Sequence, residues 1–183
     1  MDGDSDNPTI TKKDRKSEEL FNAVSTEYVL PKGSKNKKKI QNWVDLLHEE
    51  AKFNLGSYAE CFVSENLLRK YIADRKMALS QEAKDEAATW KKREAEAKNK
   101  ANISIDIRRN DDDMMYLSMD HLANFIDKKD LTQAASLSRD AREYKPVRDS
   151  MAHTALLTDV AKAKLSSVYA NIKGRLVKLL EGG

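Results

Sequence analysis

Three histidines occur in the 183 residues, and one of them, His153, stands where it can do chemistry. His48 and His121 lie beside apolar stripes without a reactive neighbour and read as surface or core-edge residues. His153 closes the stretch Arg148-Asp149-Ser150-Met151-Ala152-His153. Imidazole is the side chain that gives or takes a proton near neutral pH without retuning. Guanidinium is permanently charged and offers a planar fork of donors that fits phosphate oxygens. The pair suits cleavage of a phosphodiester whose nucleophile is already in the substrate. RNA carries such a nucleophile, its 2′-hydroxyl, so a proton shuttle and a cation beside the phosphorane suffice. The reaction needs no metal or cofactor in principle.

These side chains must be held by some element, and Pro146 points to one. Proline is favoured in a first helical turn, where its missing N–H would be unpaired anyway. A short helix over Lys145-Pro146-Val147-Arg148-Asp149-Ser150-Met151-Ala152-His153 is therefore predicted. It places Arg148 near a helix N-terminus, where free N–H groups and the dipole favour an anion. Five residues turn a helix by about 500°, which leaves Arg148 and His153 roughly 140° apart. A two-fold dimer relieves this, because the same segment of each subunit faces the other across an isologous interface. Two arginines and two histidines then line one cleft.

The remaining elements read as helices. Six Gly and three Pro are too few to punctuate a many-stranded β protein, so the fold class is all-α. Residues 1–11 are polar, and 12–30 form a candidate helix with Leu20, Phe21, Val24 and Tyr28 on one side. The lysine run at 32–39 reads as a linker between an N-terminal segment (1–39) and a helical domain (40–183). Within that domain, Trp43, Leu47, Ala51, Leu55, Tyr58 and Phe62 recur at helical spacing, and the helix continues to Ile72 with Gly56 as a place to bend. Glu65 falls on the same stripe, where burying a carboxylate is costly unless a cation pairs with it. Residues 80–101 form a charged helix, and Asp111–Asp113 read as a helix cap rather than a metal site. Met115, Met119, Leu122 and Ile126 mark a third helix, and Asp130 is the expected cap of a fourth over Leu131–Tyr144. Thr158-Asp159 caps the last helix, with Leu165, Val168, Ile172, Leu176 and Leu179 as its stripe. The expected architecture is a bundle of five to six helices.

Charge and cysteine content narrow the function classes little. Lys+Arg 33 against Asp+Glu 30 gives +3, too small a surplus to mark a nucleic-acid binder. The single Cys61 excludes an internal disulfide and reads as a buried bystander. No stretch is apolar enough to span a membrane and no signal peptide is evident, so a cytoplasmic protein is the default expectation.

Arg-polar-x3-His at the start of a late helix resembles the Rx4–6H signature of the HEPN (higher eukaryotes and prokaryotes nucleotide-binding) superfamily. Val147–Leu165 resembles the last two helices of that family, with Asp149 as the polar residue after the arginine. Tyr58–Ile72 resembles the helix that carries an inward acidic residue, here Glu65. The region from Trp90 through Asp127 is similar to members with an intervening charged, tryptophan-containing helix. The resemblance covers about residues 40–181. It implies a metal-independent endoribonuclease of a toxin or antiviral-defence system, working on RNA as a homodimer. The resemblance leaves room for an antitoxin or an ATPase or sensor partner. Carried over, His153 is the acid/base, Arg148 binds the scissile phosphate, and Asp149 orients either of them. Glu65 braces Arg148, and Lys145 is a substrate-binding cation. Family toxins silenced by nucleotidyltransferases carry a tyrosine two residues after the histidine; Ala155 stands there, which argues against that control. Two other readings remain open. One is a non-catalytic helical interaction domain, with Arg148 and His153 buried and paired. The other is a nucleic-acid-binding adaptor that depends on Lys37–Lys39 and on low salt.

Overall fold

A computed structural model of the chain describes residues 35–128 and 136–182. It contains α1 (Lys35–Asp74), α2 (Gln81–Lys100), α3 (Met119–Asp127), α4 (Leu137–Ala152) and α5 (Asp159–Glu181), with a 3-10 turn at Asp113–Tyr116. No strand occurs among the described residues, and the all-α class holds. The polar stretch 1–11, the candidate helix 12–30 and the Asp130 cap lie outside the described residues. Among the described residues no helix is long and apolar enough to cross a membrane.

The chain divides into two compact units, Met1–Leu47 and His48–Gly183. The described part of the first is the start of α1. There Gln41 donates to Asp45 at 2.9 Å and the Lys39 ammonium lies 5.0 Å from the Trp43 ring centre. Lys35–Lys39 are helical rather than linker, in keeping with lysine's good helix propensity. Trp43 and Leu47, expected on a buried stripe, are exposed.

In the second unit the core gathers Leu68 and Ile72 of α1, Leu122 and Ile126 of α3, Leu137, Ala141 and Tyr144 of α4, and Leu165, Val168 and Ile172 of α5. α4 packs on both α3 and α5, and α2 packs on the 3-10 turn. Leu165, Val168, Ile172 and Leu176 of the α5 stripe are buried as its periodicity predicts and Leu179 is partly buried, while Thr158 caps the helix by accepting from the Ala161 N–H at 3.2 Å. Asp112 caps the 3-10 turn through the Met114 N–H at 3.0 Å, a structural use of the acidic triplet.

Within the second unit α1 corrects the predicted phase. Its inward face is Ser57, Cys61, Ser64, Leu68 and Ile72, whereas Leu55, Tyr58 and Phe62 are exposed. Small side chains let the helix approach its neighbours closely, and this leaves the large apolar ones on the outside. Cys61 is free and buried, and burial raises its thiol pKa.

α4 carries the second correction. It runs unbroken from a Ser136 cap through Pro146 to Ala152, so no new helix starts at the proline. The missing N–H costs one backbone bond. The apolar stripe continues across it nonetheless, from Leu137, Ala141 and Tyr144 to the core-packed Val147 and Met151. The helix start is fixed by Asp127, which accepts from the Ser136 hydroxyl (2.8 Å) and from the Leu137 (3.1 Å) and Ser138 (2.8 Å) N–H groups.

Candidate active site

Arg148 therefore lies in the last turns of α4, not in the first turn of a helix. The carbonyl end of a helix is its negative pole. It favours the arginine's own charge and offers nothing to a substrate anion. The helix dipole therefore does not contribute to phosphate binding at Arg148, contrary to the expectation from Pro146.

Arg148 is held by side chains instead. Its Nε lies 3.5 Å from Glu65 Oε1 and its Nη1 lies 3.2 Å from Asp149 Oδ1. Glu65, with a side chain only 15% exposed, also takes Arg69 Nη2 at 3.2 Å and the Tyr144 hydroxyl at 3.2 Å. Two arginines and a phenol on one carboxylate satisfy the pairing that its burial requires. The Tyr144 hydroxyl also points to the Cys61 carbonyl at 3.3 Å; burial, first, and then Glu65 push its pKa well up, so it stays protonated as a donor. Burial opposes the charge on Arg148, but Glu65 and Asp149 outweigh it and raise its pKa. Asp149 also accepts from Lys145, and that bond more than any other holds its carboxyl below the usual range.

His153 is placed differently. It is the C-cap of α4, its N–H donating to the Asp149 carbonyl at 3.1 Å. Thr154 follows with φ +61°, its N–H on the Met151 carbonyl (2.9 Å), and the Ala155 N–H reaches the Ser150 carbonyl (3.1 Å). This is a Schellman ending with a β-branched residue where glycine is preferred. α1 and α2 end in the same way with Lys76 and Asn102 at the left-handed position. The loop beyond His153 is tied to α1 by Asn54, which donates to the Ala155 carbonyl (2.9 Å) and accepts from the Leu157 N–H (3.2 Å). The imidazole itself is exposed, with no side-chain bond among the described residues. The structure thus joins Glu65, Arg148, Asp149 and Lys145 through their side chains, and His153 meets them only through its backbone N–H on the Asp149 carbonyl. His121 bonds Ser118 across 3.0 Å, and His48 is exposed.

No family model, curated protein or solved structure matches the chain.

Three groups at the site escaped the reading of the sequence. Arg69 was legible in principle, one helical turn after Glu65, and so was Tyr144, one turn before Arg148. Arg108 was not, because a loop brings it in. It donates to Glu94 at 2.8 Å and to the Met115 carbonyl at 2.9 Å, and it stacks 4.2 Å from the Tyr116 ring centre. Arg108 and Arg148 line one groove of about 470 Å³ with Tyr58, Phe62, Arg69 and Met115. Among the described residues the groups able to hold a metal form no cluster.

Proposed function

We propose that the chain is a metal-independent endoribonuclease of the HEPN kind that acts as a two-fold dimer. Arg148 steadies the scissile phosphate, His153 moves the proton from the 2′-hydroxyl to the departing 5′-oxygen, Asp149 orients Arg148 and Lys145 adds a substrate-binding cation. The observation that carries this reading is the braced arginine. Arg148 is fixed at Nε and Nη1 by Glu65 and Asp149, while its side chain stays 42% exposed, so its remaining edge is held ready for an anion. His153 is exposed on the same helix end, its ring without a partner among the described residues and able to meet a second copy. A toxin or defence role, with an antitoxin or an ATPase or sensor partner, follows from the family resemblance alone.

The test compares wild type with His153→Ala on mixed RNA in EDTA. Wild type is expected to cut and leave 2′,3′-cyclic phosphate ends, and the variant to lose about a hundredfold or more of that rate. Equal cutting by both proteins, or none by either, sinks the reading. A second reading, a non-catalytic interaction domain, draws on the exposed apolar ridge of Leu55, Tyr58 and Phe62.

A further inference from the structure

We infer that the groove beside Arg148 is a single-strand platform, in which Tyr58 and Phe62 stack nucleobases while Arg108 and Arg148 hold the adjoining phosphates. The inference rests on the nucleic-acid reading of the same site and narrows it to unpaired strands.

Tyr58 and Phe62 lie one turn apart on α1, so their Cβ atoms are about 6 Å from each other on one face. Their exposures are 60% and 59%, a costly presentation for two aromatic residues whose neighbours Cys61 and Ser64 are buried. Rings left in water at this spacing offer flat apolar faces, which any base can use. Along the same groove run two guanidinium groups with an open edge. Arg108 spends Nε on Glu94 and Nη1 on the Met115 carbonyl; Arg148 spends the same two atoms on Glu65 and Asp149. In each, Nη2 has no partner among the described residues and is free for a phosphate oxygen. Each guanidinium is locked at one side by a carboxylate, so little side-chain freedom is lost when it binds. Volume agrees with the chemistry, since about 470 Å³ is enough for a nucleotide. A duplex fits poorly, because its bases are already stacked and present no free face.

An apolar ridge alone would also suit a second copy of the chain. The two open arginine edges beside the rings favour a polyanion over a protein surface, which would have to bury them.

The test uses the full chain and measures binding of three labelled probes by fluorescence anisotropy: a single-stranded RNA, the same sequence as single-stranded DNA, and an RNA hairpin stem. Both single strands are expected to bind alike and the stem at least tenfold more weakly. Tyr58→Ala and Phe62→Ala each weaken single-strand binding about tenfold, with unchanged circular dichroism because both side chains are exposed. Phe62→Trp adds to the emission of Trp43 and Trp90, and the single strands quench it by a larger fraction than they quench wild type. The DNA probe lacks the 2′-hydroxyl, so it reports stacking without cleavage. Binding and quenching with no RNA ever cut leave this inference standing and remove the nuclease reading. Ring variants that bind and cut like wild type overturn this inference alone. A change of sedimentation in Tyr58→Ala or Phe62→Ala, with single-strand binding intact, assigns the ridge to a second copy and also overturns it.

Discussion

The two ends of the Arg148–His153 segment differ more than their separation of five residues suggests. At the arginine end, side chains from α1 and α4 converge on one carboxylate: Glu65 takes Arg69, Arg148 and the buried Tyr144. At the histidine end the backbone does the positioning, through a helix cap, a left-handed Thr154 and the Asn54 clamp, while the imidazole has no partner among the described residues. The anion-binding half of the proposed chemistry is thus built within one chain. The proton-transfer half is only carried to the surface, where a two-fold mate would complete it. This contrast teaches that the motif is two modules, one anchored by packing and one by loop geometry, and each can be perturbed separately.

The largest expected effect is at the anchored end. Glu65→Ala leaves Arg69, whose side chain is 12% exposed, beside Tyr144 with no carboxylate between them. Urea denaturation is expected to show a loss of about 3 kcal/mol. A loss below about 1 kcal/mol would mean that the cluster is ornamental and would dissolve the contrast. Tyr144→Phe removes one donor to the same carboxylate without changing the packing. It is expected to cost about 1 kcal/mol.

At the other end the sign reverses. Thr154→Gly relieves a β-branched residue at φ +61° in the Schellman position. Thermal unfolding is expected to show a gain of up to about 1 kcal/mol. No gain would mean that the α4 ending is not strained and that the backbone does not hold His153 under tension.

What the sequence made legible follows the same division. Helical periodicity found α5 because the stripe of Leu165, Val168, Ile172 and Leu176 is the buried one. In α1 it gave the wrong phase, because Ser57, Cys61 and Ser64 face inward and the large apolar residues between them face out. A hydrophobic pattern cannot register a face whose burial rests on smallness. Pro146 misled for a related reason, since a stripe from Leu137 to Met151 continues across it and packing outweighs one absent hydrogen bond. Charge told only that Glu65, if buried, would need a cation; the choice of Arg148 came from the family resemblance, and Arg69, one turn away, shares the carboxylate. The left-handed Thr154 and the arrival of Arg108 were not foreseeable, since loop conformation leaves no periodic trace.

Acid gives a smaller effect that still separates the two ends. Asp149 has its carboxyl held low, first by Lys145 and then by Arg148. A depressed folded pKa stabilises above the unfolded value of about 4, and that contribution is lost as pH falls through the folded value. The pair is largely exposed and screened, so Asp149→Asn is expected to flatten the acid limb of the stability curve by only about 0.5 kcal/mol. A steeper limb in the variant would contradict the assignment.

The smallest expected effect on folding is at His153. Its ring has no partner among the described residues, and the cap it forms uses its backbone N–H, which alanine keeps. His153→Ala should therefore melt within about 0.5 kcal/mol of wild type, even as RNA cleavage disappears. A large destabilisation would show that the imidazole packs in a way a single chain does not reveal, as a dimer contact would require. Melting at two protein concentrations separates those cases, because only an assembly contact makes the shift depend on concentration. A silent stability change together with lost cleavage would locate the chemistry at the loosely held end, where the absence of structural partners leaves the ring free to work.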